Sequence, residues 1–137
     1  MRSSTILIVD DYERLRQVMR SILEQRGNLE VIGEASDGLE AVQKAKELRP
    51  ELILLDVALT KLNGIQAAKR LRDLVPRAKI LFVSIESSSD IVREAFNAGG
   101  IGYIHKLDIA SDLLPGIETV LRDEQFVSSS LAPFVVS

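Results

Sequence analysis

Five short apolar runs, each followed by a segment with helical spacing, constrain this chain more than any other feature. Residues 5–9 (TILIV) are continuously apolar and rich in β-branched side chains, the pattern of a strand buried on both faces of a sheet. Residues 29–34 form a second, weaker strand, and 52–55, 79–84 and 102–105 are the third to fifth. Between them lie apolar stripes at helical period. Leu15, Val18, Met19, Ile22 and Leu23 mark a helix over 12–26, and Ala41, Val42, Ala45 and Leu48 mark one over 39–48, closed by Pro50. Ile65, Ala68, Leu71 and Leu74 mark 64–74, closed by Pro76, and Ile91, Val92, Ala95 and Phe96 mark 90–98, ended by Gly99 and Gly100. Asp37 and the polar loop 86–89 supply caps. The last helix buries Ile117, Val120 and Leu121 and runs to about Arg122. Pro115 is tolerated in a first turn, so this helix is expected to start at or just before Asp112, capped by Ser111 or Asp112. Strands alternating with helices predict an α/β fold: a doubly wound five-stranded parallel sheet with helices on both faces.

The composition of the 137 residues supports one folded domain. Apolar residues at 46% and charged residues at 27% exclude a largely disordered chain. With no Trp, the aliphatic residues must build the core. The absence of Cys excludes disulfides, thiol catalysis and thiolate metal sites, and the single His105 excludes a multi-His zinc site. A net charge of −3 argues against non-specific nucleic-acid binding by this chain. No apolar run approaches the ~20 residues of a membrane span, and 6–9 is too short for a signal-peptide core. A cytoplasmic protein without membrane contact is expected. Residues 125–137 have apolar positions without a period and read as a tail, a linker or the edge of something absent.

In open parallel sheets the functional crevice lies beyond the carboxyl ends of the strands. The first strand ends at Asp10 and Asp11, the third at Asp56, the fourth at Ser84 and the fifth at Lys106. Each residue alone has an ordinary reading: Asp10 and Asp11 as helix caps, Asp56 as a turn residue, Ser84 bonded to backbone, Lys106 in solvent. Together they describe a chemistry. Three converging carboxylates repel one another, and a hard divalent cation such as Mg²⁺ resolves the repulsion. An ammonium and a hydroxyl beside that cation are what an incoming phosphoryl group requires, with Asp56 as nucleophile. His105 reads as a half-exposed strand residue, and Lys69, Arg70 and Arg72 as a solvated face.

The ordered set Asp10, Asp11, Asp56, Ser84 and Lys106, with the phrases ILIVDD, VIGEASDGLEAV, LILLDVALTKLNG and AFNAGGIGYIHK, resembles the receiver domains of bacterial two-component response regulators. The resemblance covers about residues 5–122. It is nearest to the NarL/LuxR-type subfamily, on GYIHKLD and the closing VLRDEQFVSSS. It implies a flavodoxin-like receiver fold with strand order 2-1-3-4-5. It also implies a signalling domain, not a metabolic enzyme, that catalyses only its own aspartyl phosphorylation and dephosphorylation. A sensor histidine kinase phosphorylates Asp56. Asp10, Asp11, Asp56 and the Ala58 backbone carbonyl hold Mg²⁺, and Ser84 and Lys106 bind phosphoryl oxygens. On phosphorylation Ser84 moves toward the phosphate, the switch aromatic Tyr103 turns inward, and the face of the fourth helix, fifth strand and fifth helix changes. The implied partners are the kinase and, on phosphorylation, a second copy of the chain. DNA is reached only through a helix-turn-helix output domain absent here, with 123–137 as tail or start of its linker.

Five positions depart from the family pattern or tune it. Thr60 replaces a usual Pro, which predicts a more mobile loop. Leu107 stands where many receivers have Pro. Ile85 replaces a usual Ala and is bulky enough to narrow access to Asp56 or restrict Tyr103. Ala58 and Glu86 flank the phosphate, and Ala58 has no group to orient a hydrolytic water, so fast dephosphorylation is not expected. A metal-dependent hydrolase on the same cluster would need a second acid–base group beside Asp56, which His105 does not supply. A degenerate interaction module is disfavoured by the intact Asp11, Asp56 and Lys106.

Overall fold

The computed structural model describes residues 3–131. Six parallel strands form one sheet: β1 (Ser4–Val9), β2 (Leu29–Ala35), β3 (Leu52–Leu55), β4 (Lys79–Ser84), β5 (Gly102–His105) and β6 (Phe126–Val127), in the order β2-β1-β3-β4-β5-β6. Five α-helices cross between them: α1 (Glu13–Glu24), α2 (Gly38–Leu48), α3 (Gly64–Leu74), α4 (Ser89–Asn97) and α5 (Ile109–Leu121). The doubly wound sheet and the 2-1-3-4-5 order expected for the first five strands are present, and a sixth strand extends the edge.

The strands that read as continuously apolar are buried on both faces because successive side chains point to opposite layers. Leu7, Val9, Ile53, Leu55, Phe82 and Tyr103 face α2, α3 and α4. Ile6, Ile8, Leu52, Leu54, Leu81, Val83 and Ile104 face α1 and α5, against Met19, Leu23, Leu113, Ile117 and Val120. Local chemistry sets the helix starts. Asp37 accepts from the Glu40 N–H at 2.8 Å, Asn63 and Gln66 form a reciprocal capping box, and Ser88 accepts from the Ile91 N–H at 3.2 Å. The N-cap position of α1 is Tyr12, without a side-chain cap, so neither Asp10 nor Asp11 fills it. Among the described residues, no helix is long and apolar enough to cross a membrane.

Two sequence expectations are corrected. The last helix begins at Ile109, following a 3-10 turn over Lys106–Asp108, and not near Asp112. Ile109 and Leu113 are buried one turn apart, and that burial extends the helix upstream. Pro115 then lies in the helix interior, on its exposed side, and supplies no N–H to the Ser111 carbonyl. Asp112 is not a cap: its side chain is buried and accepts from Ser128 Oγ at 3.3 Å and the Ser129 N–H at 2.9 Å.

The second correction concerns the segment read as a tail. Phe126–Val127 pairs with β5 (Gly102 opposite Phe126, Tyr103 opposite Val127), α5 serving as the crossover. Ser128 is fully buried and Leu131, 2% exposed, joins the core beside α4. The reason is edge coverage: β5 would otherwise present unpaired N–H and C=O groups. Residues 132–137, the remainder of the expected tail, lie outside the described residues, as do residues 1–2.

Candidate functional site

The parallel register brings the carboxyl ends of β1, β3, β4 and β5 to one rim. Val9 is opposite Leu55, Leu55 opposite Phe82, and Ser84 opposite His105. The next residue along β1 is Asp10, fully buried, and the next along β3 is Asp56, 2% exposed. Asp11 is exposed beside them. Each of these three side chains offers a carboxylate oxygen, and these atoms lie within 4.8 Å of one another.

Lys106 opens the 3-10 turn after β5 and reaches across to the acids. Its Nζ donates to Asp56 Oδ2 at 2.9 Å and lies 2.8 Å from Asp10 Oδ2. The second contact is an ion pair, and apart from that ammonium Asp10 Oδ2 is buried without a partner. Asp10 Oδ1 accepts from the Tyr12 N–H at 2.9 Å, and Asp56 Oδ1 accepts from the Ala58 N–H at 3.3 Å. Burial acts against the Lys106 charge, but its contacts with Asp10 and Asp56 outweigh that cost and hold the ammonium above the ordinary lysine pKa. One ammonium cannot neutralise three carboxylates. An all-oxygen set at this separation, with one buried oxygen met only by the shared ammonium, fits a hard divalent cation.

The approach of α3 to this rim requires a glycine. A Cβ on Gly64 would sit 1.9 Å from the Asp56 carbonyl oxygen. The Thr60 loop is held to the start of α2, since the Thr60 carbonyl accepts from the Gly38 N–H at 3.3 Å and the Leu62 N–H at 2.7 Å. Lys61 adopts φ 67° to make that turn.

Ser84 and Tyr103 meet through one peptide segment. Ser84 Oγ, buried, accepts from the Glu86 N–H at 3.2 Å, and Tyr103 Oη donates to the Glu86 carbonyl at 2.8 Å. The Tyr103 ring is fully buried, stacked on Phe82 with centroids 6.0 Å apart. Burial pushes its phenol pKa up to about 12, aided by the Glu86 and Asp56 charges and opposed by the Ser84 hydroxyl. Ile85 is 63% exposed and does not hold the ring out. Leu107 also points to solvent, and His105 Nδ1 accepts from the Leu107 N–H at 3.1 Å.

Thus Asp10, Asp11, Asp56 and Lys106 converge directly, Ala58 touches Asp56 through its N–H, and Ser84 and Tyr103 adjoin through Glu86. Sequence reading missed Arg16, whose Nη1 donates to the Asp10 carbonyl at 2.6 Å while its Nε donates to Glu34 Oε1 at 2.8 Å. The available signal was phase: Arg16 shares its helical stripe with the buried Met19 and Leu23, an unusual place for a cation.

A doubly wound parallel sheet thus carries an acidic cluster and an ammonium at its carboxyl rim, at the switch point where such folds place their sites. The profile of the response regulator receiver domain matches residues 6–118, and the chain belongs to that family, a signalling domain of two-component systems. It is similar to the transcriptional regulatory protein LiaR of Bacillus subtilis, 33% identical over 132 residues that cover 96% of this chain and 63% of that protein. The response regulator protein VraR of Staphylococcus aureus is 34% identical over 119 residues, 87% of this chain and 57% of that protein. The chain therefore spans about three fifths of these curated relatives. Among solved structures, a LuxR-family two-component response regulator from Aurantimonas sp. SI85-9A1 superposes with a TM-score of 0.93 at 29% identity, covering 97% of this chain and 95% of that one. The response regulator domain of Thermotoga maritima CheB gives 0.82 at 32% identity, over 88% of this chain and 98% of that one. The LuxR-type resemblance of the sequence agrees with these relatives.

Proposed function

We propose that this domain is a phosphorylation switch in which Asp56 accepts a phosphoryl group from a histidine kinase. The observation that carries the reading is the Lys106 ammonium 2.9 Å from a nearly buried Asp56 carboxylate, inside a cluster of three acids. An Asp56 carboxylate oxygen attacks phosphorus, the P–N bond to the donor imidazole breaks, and the imidazole leaves with a proton. Lys106 exchanges part of its contact with the acids for the phosphoryl oxygens, and the Ser84 hydroxyl supplies a hydrogen bond to them. Asp10, Asp11, Asp56 and the Ala58 carbonyl are the groups that would hold Mg²⁺, which neutralises phosphoryl charge. Ala58 carries no side-chain donor or acceptor to align a hydrolytic water, which favours a slow return to the free state.

The output follows from the same reading. Added phosphoryl charge favours a state in which Ser84 has moved toward the phosphate with Tyr103 inward, and the surface of α4, β5 and α5 changes with it. We assign the receiver to residues 5–122 with the docked segment 126–131 completing its sheet edge. The chain beyond leads toward a DNA-binding output domain, and phosphorylation favours a homodimer in the cytoplasm. Intact mass after incubation with acetyl phosphate tests the reading. A phosphoryl adduct that requires both Mg²⁺ and Asp56, and is absent in Asp56→Asn, is the expected result. No adduct on folded protein under any condition would overturn it.

A further inference from the structure

We infer that Arg16 is a positioning residue of the acidic site: it fixes the Asp10 carbonyl and thereby places the exposed Asp11 carboxylate for Mg²⁺. This rests on the metal site proposed above.

The Asp10 peptide is gripped from both sides by the end of β2. Its N–H donates directly to the Ala35 carbonyl at 3.1 Å. Its C=O is reached from the neighbouring residue, Glu34, by way of Arg16. Glu34 Oε1 accepts from Arg16 Nε at 2.8 Å, and Arg16 Nη1 donates to Asp10 O at 2.6 Å. Glu34 is itself anchored: Arg20 Nε and Nη2 bind its other oxygen at 2.9 and 2.8 Å, and its backbone carbonyl accepts from Lys44 Nζ. The Arg16 guanidinium is therefore oriented before it meets Asp10, at little entropic cost per bond.

Asp11 depends on this clamp. Its side chain is exposed, and no hydrogen bond or ion pair holds it among the described residues. Its carboxylate nevertheless lies in the cluster with Asp10 and Asp56. What fixes it is the backbone: the Asp10 carbonyl belongs to the peptide plane that carries the Asp11 nitrogen, so locking that carbonyl limits the arc available to the Asp11 side chain. Partners one shell out from a metal ligand act on affinity in this way.

The sign of the effect separates this role from simple charge. Arg16 is a cation near the site, so by Coulomb's law alone its removal would tighten Mg²⁺ binding. As a positioning residue, its removal weakens it. Arg16→Lys keeps the charge but has no planar fork to span Asp10 and Glu34 together. Arg16→Gln loses both.

The test is Mg²⁺ binding to the wild-type chain and to both variants by titration calorimetry, with the thermal midpoint measured without Mg²⁺. Both variants are expected to bind Mg²⁺ roughly tenfold more weakly, at the lower end of the ~10–100-fold seen for outer-shell partners. The Mg²⁺ concentration for half-maximal phosphorylation by acetyl phosphate rises in parallel, while the rate at saturating Mg²⁺ stays within about twofold. A wild type that binds Mg²⁺ alongside folded variants that bind it equally or more tightly would overturn the role of Arg16 and leave the metal site standing. A wild type that binds no Mg²⁺ would overturn the metal site and this inference with it. If one variant fails to fold, the other decides.

Discussion

The Ser128 N–H donates to the Tyr103 carbonyl at 2.9 Å, so the segment that follows α5 is hydrogen-bonded to the residue whose ring is buried behind the acidic rim. The same segment is tied to the turn that carries Lys106. Ser128 Oγ bonds to Asp108, and Ser130 Oγ donates to Asp108 Oδ2 at 2.6 Å. Residues 126–131 are thus part of the folded receiver body and not an appendage.

Asp112 secures that attachment and is the place to test it. Asp112→Ala leaves the Ser129 N–H and the buried Ser128 hydroxyl with fewer partners, at a cost of about 1–3 kcal/mol. Urea unfolding should show a lower midpoint. Hydrogen exchange should show lost protection at residues 126–131, with the β1 and β3 amides protected as before. Unaltered protection of residues 126–131 would contradict the assignment.

Gly64→Ala tests the closeness of α3 to the rim. The new methyl group overlaps the Asp56 carbonyl at 1.9 Å, contact that backbone atoms can relieve only by moving. Overpacking of this kind costs about 1–3 kcal/mol. Because Asp56 moves with its carbonyl, the phosphorylation rate should fall by more than the stability loss explains. A variant with wild-type rate would show that the approach is looser than the geometry indicates.

Stability should decline in alkali for two reasons. Lys106 has a raised pKa in the folded state, so its ion-pair contribution is complete below the ordinary lysine value of 10.5 and is lost as pH rises through the higher folded value. Tyr103 titrates at about 12 when folded against 10.0 for a free phenol. Between these values the folded state holds a proton that the unfolded state has released, so stability falls as pH rises through that range. Unfolding free energies measured from pH 8 to 12 check both. Tyr103→Phe should remove the tyrosine part of the slope and lose about 1 kcal/mol at neutral pH with its bond to the Glu86 carbonyl.

Much of the fold is legible in the sequence. The runs at 52–55, 79–84 and 102–105 become β3, β4 and β5 with those bounds, because their central residues are buried on both faces and are therefore apolar, with polar groups only at the ends. Asp37 capping is equally local, an oxygen three residues from the N–H it accepts. Pro115 points to a helix start near Asp112 through its preference for first turns, but the burial of Ile109 and Leu113 carries α5 further upstream. β6 was missed because two residues carry no period.

The alternation of strand and helix and the order of polar residues at the strand ends are written in the chain, since periodicity and residue order are properties of a one-dimensional string. The convergence of Asp10, Asp56 and Lys106 follows from those, given a parallel sheet. Three-dimensional packing alone brings Ser128 and Ser129 to Asp112, lays Phe126–Val127 along the edge beside β5, and lets Arg16 bridge Glu34 to the Asp10 carbonyl. Each of these is a hydrogen bond between groups distant in the chain or unmarked in it. Such bonds form because buried polar atoms must find partners once packing has chosen their neighbours, and no residue pattern announces which partner is in reach.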